Sequence, residues 1–306
     1  MSGPARVRRC TTFDLTRENG EGIREMVTLG GQLEAEERVR RYLAGLESAV
    51  VAFSGGVDSS LVLALAVSEL GVERVLAVTA NSETYGGGEL KRAVDIAAQL
   101  GVEHEVIVTR ELEYPGFRDN PPERCYVCKR ELFQSLKNIA AERGFAFVLD
   151  GTNADDEGDY RPGMVAAQEL SVRHPLLEAG LEKVGVRGIA RRLGLPNWDS
   201  PAQACLSSRF PYGESITVEK LEMVARAEAY LFSLGLEQCR VRHHGTLARI
   251  EVPAHSVGEL VEEGVRESLV EEFKEIGYVY VALDLQGFRS GSLNEVLTAG
   301  EGRGSS

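Results

Sequence analysis

The stretch that decides the fold is VVAFSGGVDSSLVLALA, residues 50–66. It places a Ser-Gly-Gly-Val-Asp-Ser-Ser turn between a short apolar strand and a long apolar helix. Gly55 and Gly56 permit positive φ and close backbone approach, so consecutive amides can point at one anion. The N-terminus of the following helix adds about half a positive charge at the same place. The turn therefore predicts an anion site where the strand meets the helix.

Short apolar runs alternate with helical stretches on both sides of this turn, from about residue 33 to residue 195. The strands are predicted over 50–54, 74–80, 103–109 and 146–152, and the helices over 58–70, 88–101 and 129–144. Apolar strands that are joined by helical crossovers are typical of a parallel sheet covered on both faces. The sequence therefore predicts an α/β fold with a doubly wound parallel sheet.

The pattern changes after residues 195–217, a loop that contains three prolines. A helix, a hairpin, a second helix and a last strand are predicted over 218–235, 239–253, 255–276 and 278–285. These elements predict a smaller C-terminal α+β domain. The expected division is a disordered leader over 1–27, a first domain over 28–200, a second domain over 201–298 and a disordered tail over 299–306.

Composition excludes several classes of protein. Lys and Arg number 34 against 47 Asp and Glu, and the net charge of −13 argues against a general nucleic-acid binder, which needs a basic face. The sequence shows neither the apolar run of a membrane helix nor the apolar core of a signal peptide, so a cytoplasmic protein is expected. In that reducing compartment its five cysteines are expected to be free, metal-bound or catalytic.

The polar side chains of the opening turn suit a polyphosphate. Ser54, Ser59 and Ser60 supply hydroxyl donors, and Asp58 can hold the Mg²⁺ that accompanies a nucleotide. The turn lacks the Gly-Lys-Ser/Thr of a Walker A loop, and it resembles the PP-loop of the ATP pyrophosphatases, which cleave ATP to AMP and pyrophosphate. The predicted ATP-binding residues are Ser54, Gly55, Gly56, Asp58, Ser59, Ser60, Thr79 and Gly151.

Three further stretches narrow the resemblance. They are GTNADDEGDYRPG at 151–163, PAQACLSSRFPYGESIT at 201–217 and ALDLQGFRSGSLNE at 282–295. Together with the loop, and in this order, they are similar to the LarE family of ATP-dependent sulfur transferases over about residues 28–297. The resemblance implies an adenine nucleotide alpha hydrolase-like fold, a homo-oligomer and a small-molecule substrate, pyridinium-3,5-biscarboxylic acid mononucleotide, a precursor of the nickel-pincer cofactor.

The family implies that ATP adenylylates a substrate carboxylate and that a cysteine thiolate then displaces AMP. In the sacrificial version the carbon–sulfur bond of that cysteine breaks, leaving dehydroalanine on the protein and a thiocarboxylate on the product. Cys205 matches the sulfur donor, and nearby positive charge from Arg209 would favour its thiolate. Arg209, Arg240 and Arg242 are expected to bind the substrate, the last two through its phosphate. Glu251 matches an acidic residue near a metal site in the family, so it is expected either to hold Mg²⁺ or to be a solvated carboxylate on a strand.

Cys125 and Cys128 form a C-x-x-C pair, which lets two thiolates reach one metal or cluster. A subset of the family holds a [4Fe–4S] cluster with three cysteines, which implies Cys125, Cys128 and Cys205 here. Cluster-bound sulfide would then replace Cys205 as the sulfur source. Zinc or a redox disulfide remain open for the pair.

Rival functions come from the same loop. A PP-loop tRNA thiolase needs a basic domain for RNA, which the net charge of −13 disfavours. An amide-forming PP-loop synthetase needs an ammonia source, and the chain carries no glutaminase domain. A third hypothesis, a module that only senses ATP, does not account for the loop that carries Cys205 and Arg209.

Overall fold

A computed structural model of the chain describes residues 15–84, 88–157, 162–201, 204–289 and 291–296. The first helix, α1, runs over Leu15–Ala44 and so begins inside the segment predicted as a disordered leader, 1–27. Arg and Glu are good helix formers, so the polar composition of this segment does not oppose a helix. The start of that leader and the tail predicted over 299–306 lie outside the described residues.

The larger sheet has four strands in the order β3-β2-β1-β4, and every neighbouring pair is parallel. The strands are β1 Ala49–Ala52, β2 Val75–Asn81, β3 Glu103–Val108 and β4 Phe147–Leu149. The predicted parallel sheet is therefore confirmed. Because β2 and β4 lie on opposite sides of β1, the strand order reverses there, and ligands bind outside the carboxyl ends of strands at such a point.

Helices cover both faces of this sheet, as a doubly wound fold requires. The helices that follow α1 in this half of the chain are α2 Val57–Leu70, α3 Glu89–Leu100, α4 Pro115–Arg118, α5 Arg124–Arg143, α6 Pro162–Glu169, α7 Pro175–Glu178 and α8 Lys183–Arg192. Val51 packs in the core with α1, α2, α3 and α8, whereas Val50 packs in the core with α5. Successive residues of β1 thus pack into two different cores, because side chains point to alternate faces along a strand.

The predicted C-terminal α+β unit forms a second, three-stranded sheet in the order β5-β6-β7. Its elements are α9 Val218–Ser233, β5 Arg240–His244, β6 Leu247–Glu251, α10 Val257–Leu260, α11 Glu263–Ile276 and β7 Tyr280–Leu283. β5 and β6 form the expected antiparallel hairpin, and β7 pairs parallel with β6. The core of this unit includes the buried side chains of Leu231, Val241 and Phe273.

Helix α5 begins at Arg124, five residues before the predicted start at Lys129. Cys125 and Cys128 therefore lie in the first turns of a helix and not in a loop. The two prolines at 121 and 122 stop regular structure before this point, and the residues after them contain no helix breaker. Within the described part of the chain, no helix has the length and apolar character to cross a membrane.

Candidate active site

The conformation of the loop after β1 is fixed by residues of the loop itself, Gly55 and Ser59. Gly55 has φ +72°, the left-handed region that glycine adopts without cost. Ser59 Oγ accepts the Ser54 amide at 3.3 Å and donates to the Gly56 carbonyl at 3.1 Å. Gly56 itself has φ −76°, so only the first glycine needs positive φ. The loop therefore keeps its curvature at the N-terminus of α2.

The end of β4 meets this loop almost in contact. A Cβ on Gly151 would lie 2.7 Å from the Ser59 amide nitrogen, so only glycine fits there. Thr79, at the end of β2, donates its hydroxyl to the Phe53 carbonyl at 2.6 Å. The three parallel strands β2, β1 and β4 thus bring the predicted ATP-binding residues to one edge of the sheet.

Ser60 lies on the other side of the loop. It is fully buried, and its hydroxyl accepts a hydrogen bond from Asn197 Nδ2 at 2.9 Å. The same Asn197 nitrogen donates to the Gly55 carbonyl at 2.8 Å. Ser60 therefore anchors the loop from behind, and a direct contact with ATP, as predicted, is not what this arrangement supports.

Asp58 projects from the first turn of α2 and has two partners. Its Oδ1 accepts from Asn153 Nδ2 at 3.0 Å, and its Oδ2 is ion-paired with Lys183 Nζ. Asp155 Oδ2 accepts the backbone amide of Lys183 at 3.0 Å and so fixes the start of α8. As a carboxylate on the wall of a cavity, Asp58 offers the hard oxygen donor that Mg²⁺ prefers.

A cavity of about 870 Å³ lies between the two sheets. This volume is in the usual range for small-molecule sites. The predicted site residues that line it are Ser54, Gly56, Asp58, Ser59, Thr79, Gly151, Cys125, Cys205, Arg240 and Arg242. Of the other predicted residues, all of them described, Gly55, Ser60, Cys128, Arg209 and Glu251 are not part of its lining.

Arg209 holds the loop that carries Cys205. It is 3% exposed and donates twice to Glu228, from Nε at 2.7 Å and from Nη2 at 2.8 Å. Its Nη1 donates to the carbonyls of Ala204 at 2.7 Å and Cys205 at 3.2 Å. The predicted substrate contact of Arg209 is thus replaced by a structural one, because Glu228 and the loop carbonyls engage its guanidinium.

The start of α5 lies against the same loop. Arg124 Nη1 donates to the Ser207 carbonyl at 2.8 Å and also bonds Asn120 Oδ1. Asn120 Nδ2 in turn donates to the Pro211 carbonyl at 2.7 Å. These contacts bring the C-x-x-C pair next to Cys205, as predicted from their shared place at the ligand end of the sheet.

The three cysteines differ in their surroundings. Cys125 is exposed, whereas Cys128 is turned inward, with its Sγ 4.0 Å from Glu111 Oε1. Burial, together with the negative charges of Cys205 and Glu111, raises the pKa of Cys128 far above its usual range. Within the described residues, no three His, Cys, Asp or Glu side chains are placed to hold one metal ion. The [4Fe–4S] cluster expected on Cys125, Cys128 and Cys205 stays a prediction.

Glu251 also departs from its predicted role. It is fully buried, and its carboxylate accepts from Arg242 Nη2 at 2.8 Å and from Arg249 Nη2 at 3.0 Å. Ser292 Oγ lies 3.4 Å from both oxygens. A carboxylate that is neutralised by two guanidinium groups is a poor ligand for Mg²⁺, so this site supports a structural role for Glu251.

Arg240 and Arg242 line the cavity from β5. Burial, followed by the positive charges of Arg209 and Arg242, lowers the pKa of Arg240 to about 10. Among the described residues, the buried Nε of Arg242 has no hydrogen-bond partner. A bound phosphate would reduce the repulsion and accept from this donor, so the surroundings of the pair suit the phosphate contact that the sequence predicts.

Comparison with known proteins agrees with this geometry. The family model described as asparagine synthase matches residues 35–155, the part that contains the loop. The chain is 48% identical over 262 residues to the uncharacterized protein slr1717 of Synechocystis, covering 86% of this chain and 97% of that protein. It is 42% identical over 256 residues to pyridinium-3,5-bisthiocarboxylic acid mononucleotide synthase of Lactiplantibacillus plantarum, covering 84% and 92%.

The loop at the switch point and these matches define an ATP-dependent enzyme of the PP-loop ATP pyrophosphatase class. Within that class, the chain belongs to the LarE family of sulfur transferases. Both the fold class and the family expected from the sequence are confirmed.

Sequence reasoning missed several residues of the site. Lys183 follows Asp58 by 125 residues, and no local spacing connects them. Glu228 belongs to α9, where a buried carboxylate looks like any other helix position. Asn153 could have been predicted, because it lies in the 151–163 stretch two residues after Gly151 and its side-chain amide can donate to an acidic residue.

Proposed function

We propose that this protein uses ATP to adenylylate a carboxylate of pyridinium-3,5-biscarboxylic acid mononucleotide and replaces the AMP by sulfur from Cys205. The observation that carries the proposal is a cavity whose wall includes residues of the PP-loop together with Cys205, Arg240 and Arg242. The name of the Lactiplantibacillus plantarum relative, a synthase of pyridinium-3,5-bisthiocarboxylic acid mononucleotide, supports a thiocarboxylate product of this kind.

The first step activates the carboxylate. The amides of the loop and the N-terminus of α2 bind the outer phosphates of ATP, and Arg240 and Arg242 bind the phosphate of the mononucleotide. Asp58 would hold Mg²⁺, which neutralises negative charge on the phosphates when it is bound. A carboxylate oxygen then attacks the α-phosphorus, and pyrophosphate leaves with the electron pair of the broken P–O bond.

The second step transfers sulfur. The thiolate of Cys205 attacks the acyl carbon and expels AMP, which yields a thioester between protein and substrate. The Cα proton of Cys205 then passes to solvent, the electron pair of that C–H bond forms a new Cα=Cβ bond, and the electron pair of the broken Cβ–S bond stays on sulfur. The product is a thiocarboxylate, and the protein keeps dehydroalanine in place of Cys205. No external reductant is needed, and each chain reacts once.

A single-turnover experiment tests the sulfur source. The protein is incubated with ATP, Mg²⁺ and the mononucleotide, and the masses of product and protein are read together. We expect one thiocarboxylate per chain and a protein that is lighter at Cys205 by the mass of H₂S. The variant with both Cys125→Ala and Cys128→Ala should retain this turnover, and Cys205→Ala should lose it while still binding ATP.

The same experiment can contradict the proposal. Anaerobic purification of a protein that carries iron, turns over repeatedly with added sulfide and keeps Cys205 intact would assign the sulfur to a cluster. Loss of activity in the Cys125 and Cys128 variant would point the same way. Thiolation of tRNA in place of the mononucleotide would move the protein to the tRNA thiolases.

The substrate class has its own test. Arg240→Met and Arg242→Met should each weaken binding of the mononucleotide by about tenfold or more, because each removes a charge-assisted bond to phosphate. Binding of ATP should stay within twofold of the wild-type value. Arg226→Met, at a side chain that is 57% exposed on α9, is the matched control and should change neither affinity. Unchanged mononucleotide binding in both variants would contradict the assignment.

A further inference from the structure

The pair formed by Lys183 and Asp58 joins two elements that are distant in sequence. Asp58 lies in the first turn of α2, and Lys183 is the first residue of α8. The Lys183 ammonium contacts Oδ2 of Asp58, while Asn153 occupies Oδ1. The carboxylate that suits Mg²⁺ is therefore already neutralised by a positive charge from the protein.

Lys183 is placed so that its side chain can leave this contact. Its backbone amide is fixed by Asp155 Oδ2 at 3.0 Å, so the start of α8 keeps its position. Its side chain is 28% exposed and lines the cavity together with Ser54, Gly56 and Ser59. A lysine side chain has a flexible stem, so its ammonium can turn from Asp58 to a phosphate in the same cavity while the backbone stays in place.

We propose that Lys183 is an exchangeable counter-ion. It neutralises Asp58 between turnovers, gives up that carboxylate to Mg²⁺ when the nucleotide enters, and then binds the outer phosphates of ATP. A dication and an ammonium repel each other when they share one carboxylate, so arrival of the metal favours the release of Lys183. The inference rests on the proposed ATP-dependent function, but it is independent of the mononucleotide and of the sulfur source.

Binding of Mn²⁺ to the protein without nucleotide tests the first half, and electron paramagnetic resonance measures the free metal. Lys183→Met removes a positive charge next to Asp58, so we expect it to bind Mn²⁺ about tenfold more tightly than the wild type. Adding Asp58→Asn should abolish the gain. Lys91→Met, at an exposed lysine of α3, should behave as the wild type. Equal or undetectable binding of Mn²⁺ by Lys183→Met and the wild type would overturn the proposal.

Calorimetric binding of Mg²⁺ with a non-hydrolysable ATP analogue tests the second half. Lys183→Met should weaken this binding by about tenfold, and Lys183→Arg should restore part of it, since a guanidinium also binds phosphate. A purely structural lysine would give no tighter Mn²⁺ binding and would show a lowered midpoint of thermal unfolding. Unchanged analogue binding in Lys183→Met would overturn the phosphate contact. Because neither readout uses the mononucleotide, failure here is distinguishable from failure of the proposed sulfur transfer.

Discussion

Glu89 is a residue whose protonation the fold moves into the neutral range. It lines the cavity at the start of α3. Burial raises the pKa of its carboxyl to about 7, although Arg92, Arg209 and Arg240 act in the opposite direction. The folded protein therefore keeps a proton on Glu89 at pH values where the unfolded chain has released it.

This shift predicts a pH dependence of stability. Between the ordinary pKa of 4.5 and about 7, the folded state binds more protons at Glu89, so its contribution to stability falls as pH rises through that window. Glu89→Gln removes the effect. The unfolding free energy of the wild type relative to the variant should decrease by up to about 3 kcal/mol from pH 5 to pH 8, as measured by urea denaturation. Parallel curves would contradict the assignment.

Arg209 is a residue for which the structure changes the expected phenotype. Because it is buried against Glu228, Arg209→Met leaves an unpaired buried carboxylate and should cost about 3–5 kcal/mol of unfolding free energy. Adding Glu228→Gln should recover part of the loss. Arg226→Met, exposed on the same helix as Glu228, is the control, with an expected change within about 0.5 kcal/mol. A loss below about 1 kcal/mol for Arg209→Met would favour the substrate contact that the sequence suggested.

At the scale of elements, the contact between the end of β4 and the start of α2 is the tightest part of the nucleotide site. Gly151→Ala would place a methyl group 2.7 Å from the Ser59 amide, so the backbone must shift. We expect a cost of about 1–3 kcal/mol in stability and at least a tenfold loss in ATP affinity.

A glycine elsewhere provides the control for this substitution. Gly258 lies in α10, and a Cβ there would meet no described atom within 4 Å. Gly258→Ala should therefore be neutral or stabilise the protein by about 0.5–1 kcal/mol. Denaturation and calorimetric titration with ATP measure both variants, and equal ATP affinity in Gly151→Ala and the wild type would disprove the close approach.

The elements also show how far sequence reasoning reaches. The strands of the parallel sheet were predicted within three residues at either end, because buried apolar runs and capping glycines are local signals. The start of α5 was placed five residues late, because Arg124 to Cys128 carry no periodic apolar pattern and enter the helix by packing against the Cys205 loop. Its register, which sets the directions of Cys125 and Cys128, follows from that tertiary contact.

At the scale of the whole molecule, Asn120 joins the two halves of the chain. It is buried with φ +53°, and its Nδ2 donates to the carbonyls of Phe210 and Pro211 at 3.3 and 2.7 Å. Asn120→Ala leaves these carbonyls and the Arg124 guanidinium short of partners, at about 1–3 kcal/mol each. The Cys205 loop should therefore be held less firmly against Asn120 and the start of α5.

The consequence of Asn120→Ala is measurable in separate partial reactions. We expect binding of ATP within twofold of the wild type, and at least a tenfold slower formation of thiocarboxylate in a single turnover. Asn138→Ala, at an exposed asparagine of α5, is the control and should change neither quantity. If ATP affinity and the rate of thiocarboxylate formation fell by the same factor, Asn120 would support the whole fold and not specifically the contact with the Cys205 loop.

The whole-molecule arrangement also marks the limit of the sequence. The loop, Gly151, Cys205 and the two β5 arginines were predicted as site residues, and all except Gly55 and Ser60 of the loop line one cavity. Roles that depend on partners were not accessible, because Lys183 with Asp58 and Arg209 with Glu228 pair across long separations. From sequence alone, a charged residue next to a motif is interpreted as a ligand contact, because the buried residue of opposite charge that pairs with it cannot be identified.

Asn197 donates hydrogen bonds to the Gly55 carbonyl and to Ser60 of the phosphate loop. Cys205 lies only eight residues after Asn197 in the sequence. A fully extended chain covers at most about 3.6 Å per residue, so the eight-residue separation keeps the Cα atom of Cys205 within roughly 29 Å of the Cα atom of Asn197. Because the same asparagine anchors the phosphate loop, the nucleotide site and the sulfur donor belong to one short stretch of chain.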